Sequence, residues 1–418
     1  MRNIKGKRGI TLIALAVTIV VILILAGVTI DVVFSDDGII NKAKEAANRM
    51  NNLVKEDEAE LNELLNELNE TMDSNWNSNI EIPDPGPDLP TNIEDVTEIQ
   101  EETVQVEDEY GNKVTIPKGF EIVEEEGTTV PEGIVIQDKD GNQFVWIPVG
   151  RVYKDNTGTN YSDIQLGRYT FNTTDGTLTL VQAAYTEENP KNYENVITLI
   201  NKEISYQEYS TRSNPDGIVS ISGVNAIAKN LAEFVDSIKK YRGYYLARYE
   251  ASYGSGSSIV DYKPLSKVST STTFSQSTIG SLWHGVNQID AAKISRNMYN
   301  SDNNVGVESD LINSYAYDTA IVFVQYMGNA NYSNKTTSNT TILNTGLTND
   351  KVCNIYDLGV NCFEWTTEYS VSTGSSIFPC VYRGGMYFQN IHFSSDRGVN
   401  YANANYANFG FRVVTYIK

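Results

Sequence analysis

The chain has 418 residues, with 53 Asp and Glu against 32 Lys and Arg and a net charge of −21. That surplus of acid excludes nucleic acid as a partner, because the phosphates would be repelled. Much of it lies between Asp36 and Asp108, where it serves solubility rather than a ligand. Three cysteines, Cys353, Cys362 and Cys380, are too few for a disulfide scaffold, and one pair plus one buried thiol is expected.

Arg2, Lys5, Lys7 and Arg8 precede Gly9, and an uncharged apolar run extends from Ile10 to Ile30. About 21 residues of helix span roughly 31 Å, enough to cross a hydrocarbon core. Basic residues stay on the cytoplasmic side, so membrane lipid surrounds this helix and the rest of the chain faces outward, at the cell surface. The string Lys7-Arg8-Gly9-Ile10-Thr11-Leu12-Ile13 resembles the processing site of type IV prepilins. That resemblance implies a leader over residues 1–9, cleavage between Gly9 and Ile10, methylation of the new terminus, and other pilin-like subunits as partners. The family carries Glu at the fifth mature position, where this chain has Ala14. A plain membrane anchor and an ordinary signal peptide are the other readings of the segment. The signal peptide fits least, because no small-x-small pattern closes so long a run.

From Ile39 to Met72 the apolar residues fall at three-and-four spacing, among them Ala43, Ala47, Met50, Leu61, Leu64, Leu65 and Leu68. This predicts an amphipathic helix within residues 31–73, packed on another chain or covering a surface. The spacer Ile82-Pro83-Asp84-Pro85-Gly86-Pro87-Asp88-Leu89-Pro90 cannot be helix or inner strand and marks a linker over residues 74–103.

A third region, 104–418, follows. Thr103–Val106 and Lys113–Ile116 flank Glu109-Tyr110-Gly111-Asn112, and Ile134–Ile136 and Gln143–Ile147 flank Asp138-Lys139-Asp140-Gly141-Asn142. Both read as hairpins and together as a weak internal repeat. The second turn lacks the distal Glu of a calcium loop, so a turn explains it better. Residues 153–215 read as loops and short strands, Ala226–Tyr241 and Leu311–Met327 as helices, and the rest as short strands. In the second helix Ala316, Ala320, Ile321, Phe323 and Val324 form an inward face. The fold class is α+β.

Four ordered motifs carry a second resemblance: Tyr244-Tyr245-Leu246-Ala247-Arg248-Tyr249-Glu250; Asn361-Cys362-Phe363-Glu364-Trp365; Tyr382-Arg383-Gly384-Gly385; and Phe409-Gly410-Phe411-Arg412-Val413. Residues 119–418 resemble the formylglycine-generating-enzyme (sulfatase-modifying factor) domain, which implies a C-type-lectin-like fold. Catalysis in that family uses a cysteine pair just after Arg-Gly-Gly that binds copper. Here the matching stretch Met386–Ser394 has no cysteine, and His284 and His392 are the only histidines. The catalytic residues are therefore missing, which reads as no enzyme. A surface oxidoreductase with an altered metal site is the alternative. The family's structural calcium maps onto Asn361 and Glu364, which suit it as oxygen donors, although the same two residues could simply brace the turn before Trp365.

Residues 386–408 read MYFQNIHFSSDRGVNYANANYAN, and no Lys or Glu occurs between Glu368 and Lys418. Tyr and Phe supply contact area at low entropy cost, while Asn and Ser supply adaptable hydrogen bonds. The segment also resembles the variable region of diversity-generating retroelement proteins, which implies hypermutated residues displayed on this fold. The ligand surface is assigned to Phe388, Asn390, His392, Ser394, Asp396, Asn400, Tyr401, Asn403, Asn405, Tyr406 and Asn408. An ordinary surface loop rich in turn formers is the plainer reading. No cofactor beyond structural calcium is implied, and the ligand is an extracellular protein or glycan. If the prepilin reading holds, N-terminal mass spectrometry of the native protein should find a chain starting at Ile10. Gly9→Val should block that cleavage without releasing the protein from the membrane, whereas an intact Met1 or Arg2 start would leave only the plain anchor.

Overall fold

The computed structural model describes residues 92–418 apart from 173, 196, 199–204, 209–230, 300–303, 338, 371–379, 389 and 402. The expected leader, Gly9–Ile10 junction, apolar helix, amphipathic helix and proline spacer lie outside the described residues. Among the described residues no helix is long and apolar enough to cross a membrane. Asp88–Lys418 forms one compact unit of mixed α and β structure, mostly β.

Both predicted hairpins form. Strands β1 (Val104–Glu107) and β2 (Lys113–Ile116) pair antiparallel, and after β3 (Phe120–Ile122) so do β4 (Val135–Asp138) and β5 (Gln143–Pro148). Their turns are built alike. The Asp108 Oδ1 accepts from the backbone N–H of Tyr110 and Asn112, and Oδ2 accepts from the Asn112 amide. Asp138 does the same with Asp140 and Asn142. Carboxylates saturated by their own loop have no oxygen to spare for a cation, which is why the second string is a turn.

One six-stranded sheet has the order β7-β12-β6-β5-β4-β3, adding β6 (Gly243–Ala247), β7 (Val307–Leu311) and the terminal strand β12 (Val413–Ile417). The second sheet centres on β8 (Phe363–Ser370), flanked by Ser205–Glu208, β9 (Cys380–Arg383) and β10 (Arg397–Asn400), with β11 (Phe409–Phe411) pairing β8 in parallel. The chain from Phe409 to Ile417 is thus divided at Arg412 between two sheets. Residues 153–183 do form short strands, in the ladders Gly150–Tyr153 with Tyr161–Ile164 and Gly167–Phe171 with Leu178–Ala183.

Three helices lie among the described residues: α1 (Leu231–Tyr241), α2 (Gln288–Met298) and α3 (Ser314–Met327). The predicted Leu311–Met327 helix begins three residues later, since Leu311 ends β7 and the Asn313 carboxamide caps the helix by accepting from the Ala316 N–H at 2.9 Å. Helix α2 was not expected. Its Gln, Asp, Ser and Asn content weakens the periodic signal, and its Asn287 cap accepts from Asp290 N–H. Helix α3 is buried on nearly every side, Asp318 and Thr319 included, rather than on the single predicted face. It touches both sheets: the Tyr244 hydroxyl on β6 donates to the Ala316 carbonyl at 2.6 Å, and Asp318 pairs with arginines of β9 and β10.

The expected cysteine pair does not form, and no disulfide joins Cys353, Cys362 or Cys380. Cys380 is the register partner of Tyr369, seven residues along β8 from Cys362. At about 3.3 Å per residue this separates them by roughly 23 Å, far beyond disulfide reach. Trp365 and Phe411 are fully buried, as their motifs required. Trp365 stacks on Phe409 at 4.5 Å and donates its Nε1–H to the Val286 carbonyl. A fragment starting at Asp88 should therefore fold alone, and in it Trp365→Ala should cost about 3–5 kcal/mol by chemical denaturation. A fragment without near-ultraviolet dichroism would place the boundary elsewhere.

Candidate functional site

Two arginines that hold the loop 384–396 are interior residues, Arg383 of the Tyr-Arg-Gly-Gly motif and Arg397 within the 386–408 segment. Arg383 closes β9 and Arg397 opens β10; they are register partners, so the loop 384–396 leaves and re-enters the sheet between them. Both guanidiniums converge on Asp318 of α3: Arg383 pairs with Oδ1, and Arg397 reaches Oδ2 at 3.1 Å. Oδ2 also accepts the Tyr169 N–H at 2.9 Å. Arg397 continues to Glu368 of β8 at 2.8 Å, and Arg168 stands 3.7 Å from the other Glu368 oxygen. Arg383 lies 4.5 Å over the Tyr317 ring. Burial would raise the Asp318 carboxyl, but the two guanidiniums outweigh it and hold it below the usual carboxylate range.

The same arginine ties down the loop itself. Arg383 Nε donates to the Asp396 carbonyl at 2.9 Å, and its NH2 to that of Ser395 at 3.2 Å. The backbone N–H groups of Ser394 and Ser395 donate to the Lys335 and Ser333 carbonyls. Gly384 has φ +80°, and a Cβ there would stand 2.8 Å from the Tyr317 hydroxyl; at Gly385 it would stand 2.5 Å from the Gly359 carbonyl oxygen. Only glycine permits that approach.

Above this base the surface is aromatic and amide-rich. Phe388, Ile391, Tyr401 and Tyr406 are 49%, 68%, 40% and 55% exposed, four of the ten large apolar side chains exposed among the described residues. Asn390, Asn403 and Asn405 are exposed, while His392, Asp396, Asn400 and Asn408 are half-buried. Ser394 departs from the expectation. It is fully buried, its hydroxyl bonded to the Tyr332 carbonyl, so it belongs to the base and not to the surface. The two halves of the surface share a foundation: His392 stands edge-on to Phe363 at 5.0 Å, Phe363 contacts Phe409 at 5.5 Å, and Phe409 contacts Tyr406 at 6.0 Å. Asn408 Nδ2 lies 3.0 Å from Met386 Sδ. Sequence reasoning missed Asp318 and Glu368 as the anchors, because neither lies in a motif.

The calcium residues meet a different demand. The Asn361 Oδ1 accepts the Leu343 N–H at 2.9 Å, and its amide donates to Glu250 and to the Leu343 carbonyl at 3.1 Å. Glu364 Oε1 accepts from Arg412 Nε at 2.9 Å and NH2 at 2.7 Å. These contacts brace the turn before Trp365, while Glu364 Oε2 is buried with no hydrogen-bond partner among the described residues. Burial, with Asp357 and Glu364 nearby, pushes the Glu250 carboxyl well above its usual range. His392 Nδ1 lies 3.2 Å from Asp396 Oδ2, and His284 Nε2 lies 2.9 Å from the Thr272 carbonyl. No group of three or more His, Cys, Asp or Glu able to hold a metal occurs among the described residues.

No family model matches the chain, and no curated protein matches it. Among solved structures, one titled "Crystal Structure of CarF" is similar at 14% identity and a TM-score of 0.30, covering 42% of this chain and 87% of that one. A likeness at that level carries no argument about fold or function.

Asp318→Asn leaves two buried guanidiniums short of a charge and should cost about 3–5 kcal/mol in denaturant unfolding. Because the Asp318 carboxyl is depressed in the fold, its stabilisation is present above the ordinary carboxylate pKa and lost as pH falls through the lower folded value. The variant's stability should therefore fall less steeply on acidification than that of the parent chain.

Proposed function

We propose that this chain is a membrane-anchored, pilin-like surface protein. Its catalytically empty, C-type-lectin-like domain binds an extracellular protein or glycan through residues 386–408. The observation that carries the binding reading is the division between a rigid, ion-paired base and an exposed face of aromatics and amides. Rigid aromatic anchors give affinity without a large ordering cost, and the neighbouring amides adapt to the ligand's polar groups.

Two further observations support this reading. The exposed side chains of the segment, among them Phe388, Ile391, Tyr401 and Tyr406, can change without touching the Asp318 pairs, which suits a diversified segment. The family resemblance at Arg383-Gly384-Gly385 and Phe409-Gly410-Phe411-Arg412 falls on buried scaffold positions, while the matching catalytic cysteines are absent from the sequence. The anchoring and export parts rest on the N-terminal sequence alone.

Screening the purified chain against arrayed glycans and surface proteins should yield a ligand. For that ligand, Tyr401→Ala or Tyr406→Ala should weaken binding by about 1–3 kcal/mol while leaving the melting temperature nearly unchanged. If both variants bind normally, the site is elsewhere on the domain. If both unfold, these tyrosines are core.

A further inference from the structure

Remote in sequence from the 386–408 surface, a cleft of about 330 Å³ opens between the turn of the β1–β2 hairpin and the strand Gly150–Tyr153. Although the chain carries 53 acidic residues, this lining holds three cations, Lys113, Arg151 and Arg242, and no carboxylate. Arg151 pairs with Asp163 at 3.1 Å and lies 3.9 Å over the Tyr161 ring, and Lys113 stands 3.9 Å from Glu107. Those carboxylates are largely exposed and outside the lining. Arg242 has the hydroxyl of Tyr185 against it.

Arg242 also occupies a costly backbone position. It follows α1 with φ +63°, its N–H donating to the Ile238 carbonyl at 2.8 Å. That left-handed helix-ending position is the one glycine favours. Glycine sits one residue later, at Gly243, where a Cβ would stand 2.3 Å from the Trp146 ring. The fold thus needs glycine at 243 and tolerates a strained arginine at 242. Strain of this kind persists where the side chain has a task.

We propose that this cleft binds the carboxylate of an acidic sugar, with Arg242 and Lys113 supplying the charge. Tyr153, half-buried in the lining, offers an apolar wall for the sugar ring. Gly111 and Gly150 leave open floor beside it, since a Cβ at either would meet nothing within 4 Å. The assignment is independent of the 386–408 binding surface.

Isothermal titration of the full chain in non-ionic detergent, with D-glucuronate, glucose and hexaglutamate as probes, tests it. Glucuronate should bind at low salt and weaken at high salt, and glucose should not bind. Arg242→Gly should lower glucuronate affinity about tenfold, the loss expected of one charge-assisted hydrogen bond, with a melting temperature no lower than the parent's. Lys113→Gln, at an exposed position, should weaken binding in the same direction. Absent glucuronate binding, or undiminished binding by Arg242→Gly, would overturn the site. Tighter binding of hexaglutamate than of glucuronate would overturn the sugar assignment in favour of an acidic peptide.

Discussion

One buried carboxylate organises the C-terminal third of this domain. Asp318 enters the interior on a helix with almost no exposed face and meets Arg383 and Arg397 from opposite ends of one loop. A carboxylate alone in that setting would be expelled or protonated, and two guanidiniums alone would be expelled. Together they satisfy one another, and their union determines where the chain between them can go. Arg383 also donates through Nε and NH2 to the loop's own carbonyls. The position of the loop follows from the ion pair, not from the loop's composition.

Arg412 plays the corresponding part for the two sheets. It separates β11 from β12, bonds Glu364 in one sheet, and donates to the Ala247 carbonyl in the other at 2.9 Å. A third donation, to the Tyr356 carbonyl at 2.8 Å, completes its coordination. Burial of Glu250, Asp357 and Glu364 around this cation raises all three carboxyls. The interior is therefore polar at its seams and apolar in its layers, an arrangement that favours one register over its neighbours.

The interior ion pairs and the exposed face are built from different side chains. Charge is drawn into the base as arginine, aspartate and glutamate, while residues 386–408 carry no Lys or Glu. Of the exposed aromatics, Tyr406 packs on Phe409, which in turn contacts Phe363. His392 and Asp396 add a titratable pair at 3.2 Å to the same segment.

Local chemistry decided what the sequence made legible. The hairpin turns were readable because Asp108 and Asp138 satisfy their own loops within five residues. The buried Trp365 and Phe411, and the tight Gly384-Gly385 bend, were readable from motifs. Of the residues expected on the surface, Ser394 is buried, because its hydroxyl bonds the distant Tyr332 carbonyl. Helix α2 was hidden because its polar residues are buried by β7 and β8 rather than by a periodic face. The cysteines looked like a pair until the register set Cys362 and Cys380 far apart on the sheet. Only the tertiary structure could bring Asp318 to Arg383 and Arg397, at 65 and 79 residues' separation, because an ion pair of that range leaves no spacing for a sequence pattern to carry.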